Sequence, residues 1–358
     1  MEGKRTSYLR QYSTRTRRLF LRTVGAAGVG IATSNTVSAS DLDDPTEIDS
    51  CTVIDEPGEY ELVSDIEPDT TFTDQSASLE DASCIEIRAI NVTLRGNGHT
   101  IDGHGAQEGD RFRGAAVGVN IGATPTQPDV FEQLENITVE NLHITGFGAG
   151  IRYEEVVDGR IAGITAHDNG SGVSFTSNVV GVSVENCRLT GGNQGFSTIG
   201  DPDIFGGPQG NRVQYCTIEE NTYGISLGME THDHEINDCR IMNNGHGATH
   251  SPLFNSGHVY HNNAICANRV YGILNMDSPE EEPYPRMEDI VEAMENFWGA
   301  ENGPSSFGDP PEPFTDPETG RAADGDGDAI SESLEPGVAN VRFDPFLDSF
   351  PDDVGADL

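Results

Sequence analysis

Two successive stretches decide the fold: Val213-Gln214-Tyr215-Cys216-Thr217-Ile218, leading to Gly224-Ile225, and Ile236-Asn237-Asp238-Cys239-Arg240-Ile241, leading to Gly247-Ala248. Each places an apolar residue eleven positions before its glycine, a cysteine eight before and an isoleucine six before, with a polar side chain between the last two. The frame extends to Gly150, Gly172, Gly195 and Gly272, at spacings of 22, 23, 29, 23 and 25. Eleven before these glycines stand Val139, Ile161, Val184 and His261; eight before, Leu142, Ile164, Cys187 and Ala264; six before, Ile144, Ala166, Leu189 and Cys266. Apolar, polar, apolar at eight, seven and six is a period of two, the mark of a short strand with one buried face. Turn formers such as Asn243-Asn244-Gly245 punctuate each unit. Several short strands per period of 22–29 predict one coil of a solenoid, with matching residues piled in columns ~4.8 Å apart.

With that repeat in hand, Asn91-Val92-Thr93-Leu94-Arg95-Gly96-Asn97-Gly98 and Asn136-Ile137-Thr138-Val139-Glu140-Asn141-Leu142 read as earlier coils, and Asn296-Phe297-Trp298-Gly299 with Gly303-Pro304 as a closing segment. These stretches resemble the right-handed parallel β-helix repeat proteins of the pectin-lyase-like superfamily, including secreted haloarchaeal members and the NosD-like type. The resemblance implies an all-β solenoid. It leaves function open, since that fold hosts lyases, hydrolases, epimerases and non-catalytic binders. The expected organisation is a leader over 1–39, an N-terminal cap over 40–83, about eight coils over 84–277, and a C-terminal cap with an acidic Pro/Asp-rich tail over 278–358. Within the last segment, Met287 to Phe297 is read as helix-like, and 304–328 as a solvated wrap.

The 358 residues carry 60 acids against 20 basic residues, a formal charge of −40, and Lys4 is the sole lysine. Beyond residue 39 there remain 13 arginines and no lysine. Such a surface excludes nucleic-acid binding through phosphate neutralisation and disfavours docking on anionic membranes. No mature segment is apolar over ~18 residues, so no membrane insertion is expected. Carboxylate density without lysine resembles an extreme halophile's composition, a use of net charge against self-repulsion in brine. The leader's Thr16-Arg17-Arg18-Leu19-Phe20-Leu21, followed by a mild apolar run and Val37-Ser38-Ala39, resembles a twin-arginine (Tat) export signal. An extracellular or cell-surface, monomeric protein is the expectation.

Candidate chemistry follows from position. Six of ten histidines fall within 232–261, and stacking would bring His232, Asp233, His234 and His258 together; an imidazole beside a carboxylate suits a general base. Uronate lyases and C5-epimerases need such a base, and the same histidines could instead hold a metal. Arg188, Thr217 and Arg240 share an outward column and are candidate grips for acidic sugars. The insertion around Gly200 to Pro208 marks a loop on one face. Asp324, Asp326, Asp328 and Glu335 have the oxygen-ligand spacing of a Ca²⁺ loop, although Ala329 stands where glycine is required. Cys187, Cys216 and Cys239 share an interior column with Cys266 at another. They are expected as reduced core residues, with a soft copper site as the alternative, and Cys51–Cys84 as the disulfide. The functional expectation is polysaccharide binding along the rod, with lyase- or epimerase-type processing of an acidic polymer if it is an enzyme. The alternative is a non-catalytic surface or metal-handling scaffold.

Overall fold

The computed structural model describes residues 44–68, 83–103, 117–122, 133–200, 206–252, 254–276, 289–308, 310 and 312–358. Every regular element among them is a strand. Three parallel sheets make up the solenoid of residues 44–358. Sheet A has eleven strands, from Thr46–Ile48 to Val341–Arg342; sheet B has eleven, with Thr52–Ile54 at one edge and Pro304–Ser306 at the other; sheet C has seven, from Thr100–Asp102 to Ala264–Cys266. One coil gives one strand to each sheet, as Arg212–Gln214 to A, Thr217–Glu219 to C and Tyr223–Leu227 to B. The fold is a right-handed parallel β-helix.

The register follows the columns. Val184 pairs with Val213 and then Ile236, Leu189 with Ile218 and Ile241, Phe196 with Ile225 and Ala248. All of these are buried, so the interior is a set of apolar ladders whose slippage by one residue would turn each coil inside out. Corners come from single residues in the left-handed region. Between sheets A and C these are Asn141, Asn186, Tyr215, Asp238 and Asn262, with φ of 50° to 55°. Asn and Asp adopt this conformation readily, whereas Tyr215 is strained in it.

The corners are backed by ladders of buried amides. Asn221 N–H donates to Asn244 Oδ1 (3.0 Å) and Asn244 N–H to Asn268 Oδ1 (3.0 Å), while their Nδ2 groups donate to Leu189, Ile218 and Ile241 carbonyls. Buried backbone donors at a sharp bend have no strand partner, and the amide oxygen one rung away satisfies them.

Several expectations need correction. The segments read as caps carry strands of the same sheets. Thr46–Ile48 and Gly58–Leu62 belong to A, Thr52–Ile54 and Gly327–Ile330 to B, and Val291–Glu292 and Val341–Arg342 to A. Eight strands of sheet B fall within about 84–277, and the flanking strands extend sheets A and B to eleven rungs each, a length of about 48 Å at ~4.8 Å per step. The described part of the helix-like stretch, 289–297, is a strand and turn, because Val291 and Ala293 point into the same interior. The 304–328 stretch is no simple wrap: Gly327–Ile330 inserts between Tyr271–Asn275 and Pro304–Ser306, and Phe314, Asp316 and Ala323 are buried. The last coil is also displaced by one. Ile236 pairs with Tyr260 and Ile241 with Ile265, so Cys239 stacks on Asn263, and His261, Ala264 and Cys266 miss the columns assigned to them. The cause is one extra residue, Arg269-Val270 standing where the coil before has Gly245 alone. The first coil is clamped by the Cys51–Cys84 disulfide, with Cα atoms 4.4 Å apart.

Candidate functional site

The nominated histidines divide by depth. Val182 N–H donates to Asn211 Oδ1 (2.8 Å), Asn211 N–H to His234 Nδ1 (3.3 Å) and His234 N–H to His258 Nδ1 (3.2 Å). Each imidazole thus takes the place an asparagine oxygen holds in the neighbouring ladder. Nδ1 accepts, so the proton sits on Nε2: His258 Nε2 donates to Asn255 Oδ1, while buried His234 Nε2 has no partner among the described residues. The two rings stack at 5.2 Å, and His250 meets His258 edge-on at 5.1 Å and shares a 2.9 Å hydrogen bond with the Tyr260 hydroxyl. Burial pushes His234 and His250 down to about 3 and His258 well below its ordinary value. These are neutral interior groups and no solvent-facing base. His232 is half-buried and bonds Ser256 Oγ (3.0 Å), Asp233 is an exposed corner residue with φ of 54°, and no arginine among the described residues bonds to any of the group. The interior position follows from the period of two, which faces His234 and His258 to the axis.

Arg188, Thr217 and Arg240 do share one outward column on adjacent rungs of sheet C. That column is occupied by the chain itself. Residues 350–358 lie across it: Gly355 N–H donates to the Asp238 carbonyl (2.9 Å), Ala356 N–H to Thr217 Oγ1 (3.0 Å) and Asp357 N–H to Asn186 Oδ1 (2.7 Å). The Arg240 guanidinium lies 5.7 Å over the Phe350 ring, Arg188 pairs with Glu219, and Thr217 keeps 6 % exposure.

The acidic loop is likewise engaged. Asp328 ends the Asn221–Asn244–Asn268 ladder, accepting from Asn268 N–H (3.0 Å) and Nδ2 (2.7 Å); burial pushes its carboxyl up to about 6. Asp326 accepts from Asn302 Nδ2 (3.2 Å), Asp324 bridges to Ser305, and Glu335 sits in a separate exposed turn after Ser333. Among the described residues no three His, Cys, Asp or Glu side chains gather as a metal site. Cys187, Cys216 and Cys239 are neighbours in the interior, where each thiol donates to a backbone carbonyl at 3.2 Å. Burial pushes Cys187 and Cys216 well above the ordinary thiol range, which keeps the protons on sulfur and suits a core role better than copper. Of the insertion around Gly200 to Pro208, residues 201–205 lie outside the described residues, as does the leader 1–39.

The outer face of sheet B has a different chemistry. One column runs Ser171, Gln194, Tyr223, His246, Tyr271; the next runs Ser174, Ser197, Ser226, Thr249, Leu274. In a chain with 60 acids, these ten side chains include no carboxylate. Sheet A's outer face instead carries Arg160 against Glu140 and Glu185, and Arg212 and His261 against Glu235. The rings of Tyr223, His246, Tyr271 and Phe307 stack in sequence at 5.1, 5.6 and 4.2 Å, with interplanar angles of 17°, 19° and 25°. Their faces cover one another, so ring edges point away from the stack, beside a row in which Ser174 and Ser226 are half-buried and Ser197 and Thr249 are buried. Ser171 Oγ donates to Gln194 Oε1 (2.9 Å), and Ser197 Oγ to Ser171 Oγ (3.3 Å). Sequence reasoning missed this face, though its signal was there: Tyr223, His246 and Tyr271 each precede a glycine of the repeat.

The family comparison agrees with the architecture. The family model described as right handed beta helix region matches residues 130–281. Among solved structures, the chain is similar to the Azotobacter vinelandii mannuronan C-5 epimerase AlgE6 A-module, at 15 % identity over 68 % of this chain and 77 % of that one, TM-score 0.44. It is similar to the periplasmic alginate epimerase AlgG at 15 % identity over 72 % and 74 %, TM-score 0.42. It is also similar to the enzymatically active domain of bacteriophage CBA120 tailspike protein 2, at 13 % identity over 70 % and 39 %, TM-score 0.46. Comparison with curated protein sequences finds no match.

Proposed function

We propose that this protein binds polysaccharide, with an extended glycan lying lengthwise on the outer face of sheet B. The observation that carries the reading is the strip of five rungs from Ser171 to Tyr271, whose two columns carry hydroxyls and rings and no carboxylate in an otherwise strongly acidic chain, Glu154 and Glu86 standing on the rungs before it. Solvation of the protein is served by carboxylates, and their exclusion from one continuous strip removes both repulsion and bound water from that strip. The first column repeats an outward position every ~4.8 Å, so a linear polymer along the axis meets Ser171, Gln194, Tyr223, His246 and Tyr271 at regular intervals, with Ser174 and Ser226 beside them. Phenol and hydroxyl groups on an apolar ring edge match the mixed polar and C–H surface of a sugar. The reading is one of binding. The buried His234 and His258 offer no base to a ligand on any outer face.

Affinity electrophoresis through gels containing individual polysaccharides tests it. Retardation by at least one polymer, reduced tenfold or more in Tyr223→Ala/Tyr271→Ala, is expected. Retardation that ignores both tyrosines sinks the reading. Two further proposals concern setting. The Arg17-Arg18 leader directs export by the Tat route, supported by the Cys51–Cys84 disulfide; replacing both arginines with lysine should retain the protein inside the cell. The charge of −40 adapts the fold to molar salt, so urea midpoints should rise steeply with KCl.

A further inference from the structure

Ten arginines lie among the described residues, and eight are committed. Arg88, Arg95, Arg160, Arg188, Arg212, Arg321 and Arg342 each pair with Asp or Glu, and Arg240 lies over Phe350. The two with neither an ion pair nor a ring contact among the described residues are Arg152 and Arg269, and both border the carboxylate-free strip of sheet B. Arg152 stands in the second column between Ser174 and Asn120, with Glu86 one rung further on, and Arg269 stands two residues before Tyr271 at the other end of the strip. From Arg152 through Ser174, Ser197, Ser226 and Thr249 to Leu274 is five steps, about 24 Å at ~4.8 Å each.

Neither placement is incidental to the fold. Arg269 belongs to the one-residue insertion that displaces the last coil. Its N–H is fixed on the Asn244 carbonyl (2.9 Å), its side chain is exposed, and its charge reaches the ladder's His246, which it helps hold below the ordinary histidine range behind the larger effect of burial. Arg152 is half-buried on its strand, and partial withdrawal from water lowers its pKa despite Glu154 two residues on. In a protein with three acids for every base, a guanidinium that makes no ion pair among the described residues retains its planar fork for an incoming anion.

We infer that Arg152 and Arg269 are specificity-determining residues at the two ends of this face, reading anionic groups, carboxylate or sulfate, on a glycan that spans five rungs. The inference rests on the binding proposed above and adds the ligand's charge. The uncharged strip between them lets an anionic chain approach a surface that repels it elsewhere.

The test is affinity electrophoresis of the full-length protein at fixed molar salt against polygalacturonate, dextran sulfate and a neutral galactomannan. Arg152→Gln, Arg269→Gln, the double variant and Tyr223→Ala/Tyr271→Ala are compared, with circular dichroism as the fold check. The expected result is preference for one anionic polymer, which tells carboxylate from sulfate. Each glutamine variant should bind that polymer about tenfold more weakly, with galactomannan unaffected. If the double glutamine variant binds anionic polymers as the parent does while the tyrosine variant does not, the inference falls and the binding face stands. Equal affinity of the parent for neutral and anionic chains, lost with the tyrosines, has the same meaning. If no polymer responds to the tyrosines, the binding face falls and the inference with it.

Discussion

Acidification should unfold this rod from the inside, and the interior imidazoles set the size of the effect. His234 and His250 lie near pKa 3 in the folded chain against an ordinary 6.5, burial being the main cause. Between these values the unfolded chain binds more protons than the folded one, so stability rises with pH. The contribution is complete above about 6.5 and is lost as pH falls toward about 3. At pH 4.5 each histidine withdraws about 2.7 kcal/mol, from two pH units at ~1.36 kcal/mol per unit. Asp328 acts in the opposite direction: its carboxyl is raised to about 6, so its protonation in the fold stabilises by about 2 kcal/mol over 6 to 4.5. The two histidines outweigh it, leaving a net loss of about 3 kcal/mol between pH 7 and 4.5, before His258 adds to it. His234→Asn isolates the cause. An amide oxygen there accepts the Asn211 N–H as Asn211 accepts that of Val182, but does not titrate. The variant should be weaker at pH 7.5 by about 1–2 kcal/mol for lost ring packing, and its decline to pH 4.5 should be smaller than the parent's by about 2.7 kcal/mol. Urea unfolding at constant KCl at pH 7.5, 6.0 and 4.5 measures both. Identical declines in parent and variant would refute the reasoning.

Other consequences are open to measurement. Gly355→Val should unseat residues 350–358, because φ is +90° and a Cβ would stand 2.8 Å from Arg240 Cδ and Thr217 Oγ1; faster amide exchange at Gly355 to Asp357 is the readout, and unchanged protection contradicts it. Tyr215→Asn should stabilise by about 1 kcal/mol, since tyrosine occupies a left-handed corner that asparagine fills on other coils; a lowered urea midpoint contradicts that. Removal of Ca²⁺ with EDTA should leave the thermal midpoint unchanged, because Asp328 is held by Asn268; a fall of several degrees restores the calcium reading. Cys51→Ser/Cys84→Ser should cost about 3–4 kcal/mol for a loop closed over a separation of 33 residues, checked by urea unfolding.

The repeat was legible because burial imposes a period of two on the strands and because a glycine stands second in each sheet B strand from Ala149–Glu154 to Tyr271–Asn275. The columns through Val213, Cys216 and Ile218 required no coordinates. The same reasoning lost the last coil at Gly272, since counting back from one glycine cannot locate an extra residue between it and the strand before. It also stopped the solenoid too early at both ends. The three-residue strands Thr46–Ile48 and Thr52–Ile54 are too short to show periodicity, and they are strands because a ladder is already there to pair with. The His234 and His258 reading erred in depth. Proximity in sequence shows which side chains stack, and only the direction of the pleat shows whether they stack toward the axis or toward water.

Local alternation and turn chemistry, written in every coil, by themselves determined that this chain is a stacked parallel solenoid with an acidic exterior. Tertiary structure alone decided which outward columns are free, because that depends on segments distant in sequence. Residues 350–358 come back over Arg188, Thr217 and Arg240, while the strip from Ser171 to Tyr271 gathers one side chain from each of five coils into a surface that no single coil contains.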